Sequence, residues 1–265
     1  MAPLSPLLRR YEQVILDLDG CVWVGPEAVP GSVAAIAALR AAGKRVAFAT
    51  NNSWHPGEDH VTKLWGIGVQ ASLADVVTVG GALQHLLADT RTGRSAFVIG
   101  TAALRKHVTD AGLRVMNGTD LASRAQVVVV GGTDDLHYSD IRAAALAASR
   151  GADLLATGRD PTLPMPDGHW PGTGAILAAV ETACARTAEI VGKPSPRLFE
   201  TALDRLGEGR TLVVGDRLDS DVAGAAAAGL DAALVLSGGA APDSGEGADP
   251  APVEVAKDLA TLVGI

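Results

Sequence analysis

The chain has 265 residues, 48% of them hydrophobic, with 47 Ala and 31 Gly against only 4 Trp, 3 Phe and 2 Tyr. A chain of this length forms one large or two ordinary domains with a substantial buried core, so disorder and a disulfide-stapled scaffold fit poorly. With 22 Lys+Arg against 30 Asp+Glu the formal charge is −8; that charge opposes phosphate backbones and few rings could stack bases, so nucleic acid is not an expected partner.

Cys21 and Cys184 are far apart and belong to no metal-binding or CxxC pattern, which suits a reducing compartment. The opening decapeptide lacks an apolar stretch of signal-peptide length, and no run of about 18 apolar residues occurs, so a cytoplasmic protein with no membrane partner is expected.

The run from Val14 to Asp19, closed by Gly20, is short and largely apolar, the pattern of a buried parallel strand ending in a loop. A helix is expected from Ser32 to Ala42, with Ser32 as its cap, Val33, Ile36, Ala37 and Leu39 at helical spacing, and Gly43 as its stop. Arg45 to Thr50 reads as the next buried strand, followed by Asn51-Asn52-Ser53, of which Ser53 is the expected cap of the next helix. A middle section supplies strands at Ala96–Ile99, Gln126–Val130 and Asp153–Thr157 and a helix from Ile141 to Ser149. The first grammar then resumes: helix Ser195–Leu206, strand Thr211–Asp216, helix Ala223–Ala228 stopped by Gly229, and strand Ala233–Leu236. Ser237 to Pro252 reads as a surface loop before a last short helix. The expected organisation is a core made of residues 1–80 and 189–265, with a second α/β domain, residues 81–188, inserted between them.

Polar clusters stand where the core strands end: Asp17 with Asp19, Thr50 with Asn51, Lys193, and Asp216 with Asp221. Ligands of open parallel sheets bind at the carboxyl ends of strands, so these clusters can converge on one crevice. Several carboxylates brought together repel one another unless a hard divalent cation joins them, and few protein ligands completed by water is the manner of Mg²⁺. Carboxylates, a metal, a lysine and a hydroxyl suit phosphoryl transfer. Asp17 can attack as a nucleophile. Asp19, two residues on along an extended segment, points to the same side; it can protonate the leaving alcohol and then activate water.

Asp17-Leu18-Asp19-Gly20, Thr50-Asn51-Asn52-Ser53, Gly192-Lys193-Pro194 and Gly215-Asp216-Arg217-Leu218-Asp219-Ser220-Asp221, in this order, resemble the four motifs of the haloacid dehalogenase superfamily. Cys21-Val22-Trp23 after the first motif, the Thr-Asn-Asn-Ser form of the second and the long insert resemble its class IIA phosphatases. Ala156-Thr157-Gly158-Arg159-Asp160 and Pro171-Gly172-Thr173-Gly174-Ala175 are similar to that branch's cap, so the resemblance runs over nearly the whole chain. It implies an α/β fold, a Rossmann-like parallel-sheet core with an inserted α/β cap of C2 type. It also implies a Mg²⁺-dependent phosphatase that hydrolyses a small-molecule phosphate monoester through an aspartyl-phosphate. Asp17 would be nucleophile and metal ligand, and Asp19 general acid/base with its backbone carbonyl on the metal. Thr50 and Asn51 would hold phosphate oxygens, Lys193 would bridge nucleophile and phosphate, Asp216 would bind the metal directly and Asp221 would support it through its neighbours. Homodimers through the cap are common in this branch. Two departures stand out: Ser220 replaces the usual Thr, and Gly158 replaces a frequent Asn, which bears on specificity rather than catalysis.

Two alternatives share this chemistry. A phosphoryl-transferring mutase of the same superfamily would need a phosphorylated acceptor in place of water. A receiver-like phospho-acceptor module would be about half this length, would lack a cap and would have no counterpart of Asp19. Trp23, Trp54 and Trp170 stand beside motifs whereas Trp65 does not. Trp23 and Trp54 are expected to pack the loops there, and Trp54 or Trp170 to wall the substrate pocket. Asp160 is expected to anchor a cap loop, His169 is a candidate for touching substrate, and Cys21 is expected to be a small buried residue.

Overall fold

The computed structural model describes residues 4–239, 241, 245 and 247–265. The first three residues, and part of the expected loop from Ser237 to Pro252, lie outside the described residues.

The core begins with β1 (Gln13–Leu16), whose residues are all buried. A tight turn over Leu18 to Trp23 leads into a small hairpin of β2 (Trp23–Val24) and β3 (Glu27–Ala28). Then come α1 (Ser32–Ala41), β4 (Arg45–Thr50), α2 (Gly57–Gly66), β5 (Val76–Thr78) and α3 (Val79–Arg91). Ser32 does not cap α1. Its hydroxyl donates to the Val22 carbonyl at 2.9 Å, and Gly31, at φ +81°, takes the cap position; a buried turn carbonyl in need of a donor outcompetes the helix end for the hydroxyl.

The cap follows with β6 (Ser95–Ile99), α4 (Ala102–Asp110), β7 (Arg114–Val115), β8 (Val127–Val130), α5 (Tyr138–Ser149), β9 (Asp153–Ala156), a hairpin of β10 (Thr162–Met165) and β11 (Gly168–Pro171), α6 (Thr173–Cys184) and β12 (Glu189–Ile190). The chain returns to the core with α7 (Arg197–Leu206), β13 (Thr211–Gly215), α8 (Ala223–Ala227), β14 (Asp231–Val235), β15 (Glu254–Ala256) and α9 (Leu259–Val263).

Among the described residues the core sheet has the order β15-β14-β13-β1-β4-β5 and the cap sheet the order β12-β9-β8-β6-β7. Every pairing in both is parallel. Apolar clusters cover both faces of each: Leu16, Phe48 and Val214 pack toward α1 and α9, and Ile15, Ala47 and Val213 toward α7 and α8. Burial on both faces explains why these strands read as continuous apolar runs.

The boundaries differ from the expected ones by a few residues. Position 81 falls inside α3, whose Val79 packs in the core cluster while Leu83, Leu86 and Leu87 pack in the cap. Position 189 falls in β12, which pairs with β9 in the cap sheet, so the chain crosses back after Ile190.

Candidate active site

Register places the polar strand ends side by side. Leu16 of β1 is opposite Phe48 of β4 and Val214 of β13, so Asp17, Thr50 and Asp216 emerge at the carboxyl ends of three adjacent strands. Lys193 comes from the loop after the cap and Asp221 from the turn before α8. Lys193 Nζ donates to Asp17 Oδ1 at 2.5 Å, to Asp221 Oδ1 at 2.7 Å and to the Ala49 carbonyl at 3.2 Å. Asp221 Oδ2 accepts the Arg217 N–H at 3.2 Å.

The electrostatics follow from burying three acids against one lysine. Burial pushes Asp17 well above the usual carboxylate range; Lys193 pulls it back, and Asp221, Asp216 and Asp19 add to the rise. Burial and then Asp221 push Asp216 up to about 8. Burial alone would lower Lys193, but Asp17 and Asp221 outweigh it and hold the ammonium charged. One ligand atom from each of Asp17, Asp216 and Asp221 lies within 4.8 Å of the others. No hydrogen bond reaches the Asp216 carboxylate among the described residues, although that side chain is buried. Three buried acids against one lysine, with the Asp216 oxygens left unbonded, fit a divalent cation such as Mg²⁺. Gly20 keeps the acids close: its φ is +91°, and a Cβ there would collide with the Asp216 carboxylate.

Asp19 is held from three sides. Trp23 Nε1 donates to its Oδ1 at 2.9 Å, and Thr50 Oγ1 and Asn52 Nδ2 each approach its Oδ2 at 3.3 Å. Trp23 therefore does more than pack. The neighbouring Cys21 is fully buried and its thiol is pushed far up by burial, so it is an unreactive packing residue.

The Asn51 side chain ties three segments together. Its Nδ2 donates to Asp160 Oδ2 at 2.9 Å and to the Lys193 carbonyl at 3.0 Å, and its Oδ1 accepts the Lys193 N–H at 2.8 Å. Asp160 Oδ1 also lies 3.1 Å from Arg217 Nε, so this cap residue meets both the second and the fourth motif. Gly158 lies against the Asn51–Asp160 contact, where a side chain would crowd it. Ser53 does not cap α2, which starts at Gly57. Its hydroxyl meets Thr157 of the cap at 3.3 Å. Asp219 stands apart, exposed and paired with Arg217 at 2.9 Å.

These residues enclose a cavity of about 70 Å³ lined by Asp17, Asp19, Thr50, Asn51 and Lys193 on the core side and by Thr162, Leu163 and Pro164 of the cap hairpin. Trp54 lines it as well, with its indole against Gly132 of the cap. Trp170 lines an adjoining cavity, and Trp65 is 65% exposed on the far side. His169 rests against Gly239 and lines a separate crevice beside Asp216. Sequence reasoning missed the Trp23 bond to Asp19 and the role of Asn52; the only signal was an indole four residues after an acid in a tight turn.

A family profile described as haloacid dehalogenase-like hydrolase matches residues 14–114, and a second, HAD-hydrolase-like, matches 190–262. D-glycerol 3-phosphate phosphatase of Mycobacterium tuberculosis is 36% identical over 236 residues, covering 89% of this chain; the chain spans 65% of that protein's length. Chronophin of Homo sapiens is 34% identical over 252 residues, covering 89% of this chain and 85% of the relative. Among solved structures, a glycerol phosphate phosphatase from Mycobacterium tuberculosis in complex with magnesium superposes with a TM-score of 0.87 at 35% identity, covering 98% of this chain and 79% of that one. A 4-nitrophenylphosphatase from Thermotoga maritima superposes with a TM-score of 0.85 at 31% identity, covering 98% and 99%. The chain belongs to the haloacid dehalogenase-like hydrolases, and within them to the class IIA phosphatase branch, with a Rossmann-like core and an inserted α/β cap. No helix of the described residues is long and apolar enough to cross a membrane.

Proposed function

We propose that the protein is a Mg²⁺-dependent phosphatase that hydrolyses a small-molecule phosphate monoester through an aspartyl-phosphate on Asp17. The observation that carries this reading is Lys193 between Asp17 and Asp221, with Asp216 beside them and Asp19 held separately by Trp23, Thr50 and Asn52.

Asp17 attacks phosphorus, its Oδ–P bond forming as the ester P–O bond breaks, and Asp19 gives its proton to the departing alcohol. The Asp19 carboxylate then takes a proton from water, whose oxygen attacks the same phosphorus and releases phosphate from Asp17. Lys193 holds Asp17 in line. Thr50 contributes its hydroxyl end to the phosphate cavity, and Asn51 contributes its backbone because its side chain is engaged with Asp160 and Lys193. Asp17, Asp216 and the Asp19 carbonyl would hold Mg²⁺, with Asp221 supporting them; when bound, the ion neutralises phosphate charge. The cap hairpin closes over the cavity and excludes bulk water. Asp17→Asn should abolish phosphate release from 4-nitrophenyl phosphate while circular dichroism stays native, and retained turnover would contradict the proposal.

A further inference from the structure

Beside the phosphate cavity lies a larger one of about 420 Å³. The two share Asp19, Asn52, Trp54 and Leu163 as lining, so a substrate phosphorylated on one side of Asp19 extends its alcohol portion into the other. Its walls are apolar, formed by Trp54 of the core with Leu163, Met165 and Trp170 of the cap hairpin. Its polar end is made by His60 and Lys63 of α2.

His60 is only 3% exposed, yet its Nε2 has no hydrogen-bond partner. Orphaned buried polar atoms are uncommon and call for an explanation; this one has almost no open surface, so a ligand that bonds it must draw the ring toward the cavity. The ring is fixed by stacking on Trp23, at a centroid distance of 6.4 Å and an interplanar angle of 5°. Lys63 Nζ sits 3.9 Å from the Trp23 ring centroid and donates to the Gly25 carbonyl at 2.7 Å, which leaves ammonium donors free. No carboxylate pairs with Lys63 among the described residues. Of the two acids on the rim, Asp59 lies 3.5 Å from His55, and Asp19, the charge that Lys63 and His60 feel, is turned toward Trp23, Thr50 and Asn52. The far end of the cavity thus offers an ammonium with no carboxylate in direct contact and an imidazole nitrogen without a hydrogen bond, behind an apolar passage.

We infer that His60 and Lys63 form a leaving-group subsite for an anionic substituent, specifically a carboxylate, carried on the alcohol portion of the phosphate monoester. Lys63 supplies the charge and His60 Nε2–H the second hydrogen bond, while Trp54, Leu163 and Met165 cover the carbon skeleton between carboxylate and phosphate. The assignment rests on the phosphatase reading above, and it moves part of substrate selection from the cap to a core helix.

The test compares two aryl phosphates matched except at one position: 4-carboxyphenyl phosphate and 4-(hydroxymethyl)phenyl phosphate. The wild-type protein is expected to show a kcat/KM about 10-fold or more higher for the carboxylate, as a charge-assisted hydrogen bond implies. Lys63→Met and His60→Phe should each bring that ratio toward one. The ratio is read within one protein preparation, so partial unfolding lowers both rates and leaves it intact. Equal kcat/KM values for the two esters in the wild type, or an unchanged ratio in Lys63→Met, would overturn the subsite. Hydrolysis of neither ester would instead count against the phosphatase reading, which separates the two failures.

Discussion

Trp23 Nε1 donates to Asp19 Oδ1 at 2.9 Å, and the two residues are only four apart along a turn that doubles back on itself. In the mechanism proposed above, the bond fixes the carboxylate that would trade protons with the leaving alcohol. Trp23→Phe keeps most of the ring and removes the donor. Hydrogen bonds to charged groups contribute about 1.5–3 kcal/mol, so kcat for an alkyl phosphate should fall roughly 10- to 100-fold. The fall should be smaller for 4-nitrophenyl phosphate, whose phenolate leaves without a proton. Equal falls on both substrates would show that the indole does not act through the proton on Asp19.

Asp160 joins the cap to the second and fourth motifs through Asn51 and Arg217. Asp160→Ala should lower kcat/KM about 10- to 100-fold, because small displacements of positioning groups carry penalties of that size. Asp160→Asn keeps an oxygen for Asn51 and should recover part of the loss. Steady-state kinetics on the three proteins checks this, and an unchanged kcat/KM in Asp160→Ala would show that the contact does not organise the site.

Removing the metal should expose the cost of the acidic cluster. A ligand at about 100 times its Kd stabilises the native state by about 2.7 kcal/mol, so saturating MgCl₂ should raise Tm by several degrees over protein in EDTA. In Asp216→Asn the Mg²⁺-dependent rise should vanish, while the metal-free variant melts at or above the metal-free wild type because a buried carboxyl whose ionisation the fold opposes is gone. Differential scanning fluorimetry reads both effects.

His107 of α4 lies with its Nδ1 2.8 Å from Gln84 Oε1 on α3. Burial lowers its pKa from the ordinary histidine value; Asp110 and Glu58 oppose the shift, and Lys106 adds to it. A base depressed on folding contributes stability above the unfolded value of about 6.5, and that contribution is lost as pH falls below it. The buried acids Asp17 and Asp216, raised in the fold, gain stability over the same range, so the His107 contribution is read as a difference: the urea midpoint of His107→Gln relative to wild type should rise as pH falls from 7.5 to 5.5. A pH-independent difference between the two proteins would contradict this.

The catalytic core was legible because parallel strands buried on both faces show as apolar runs, and the residues that end them show as isolated acids, a threonine and a lysine. Val14 to Leu16, Val46 to Ala49 and Leu212 to Val214 carry that signal directly. What joins the cap to the site was not legible. Asn51 meets Asp160 and Lys193 across 109 and 142 residues, and no local pattern records a partner so distant. Local rules also lost where a buried group needed a donor or a partner: Ser32 turned from its own helix to the Val22 carbonyl, and Ser53 turned from α2 to Thr157. The hairpin of β10 and β11 escaped notice because Pro164 and Pro166 interrupt any strand pattern.

The account depends above all on Asp17 as the group that becomes phosphorylated. Borohydride trapping during turnover, followed by mass spectrometry of the peptide containing residue 17, reads this directly, because reduction of an aspartyl-phosphate leaves homoserine. Homoserine at position 17, with position 19 unchanged, is the predicted result. Phosphate release with Asp17 recovered unmodified and homoserine at another aspartate would contradict it.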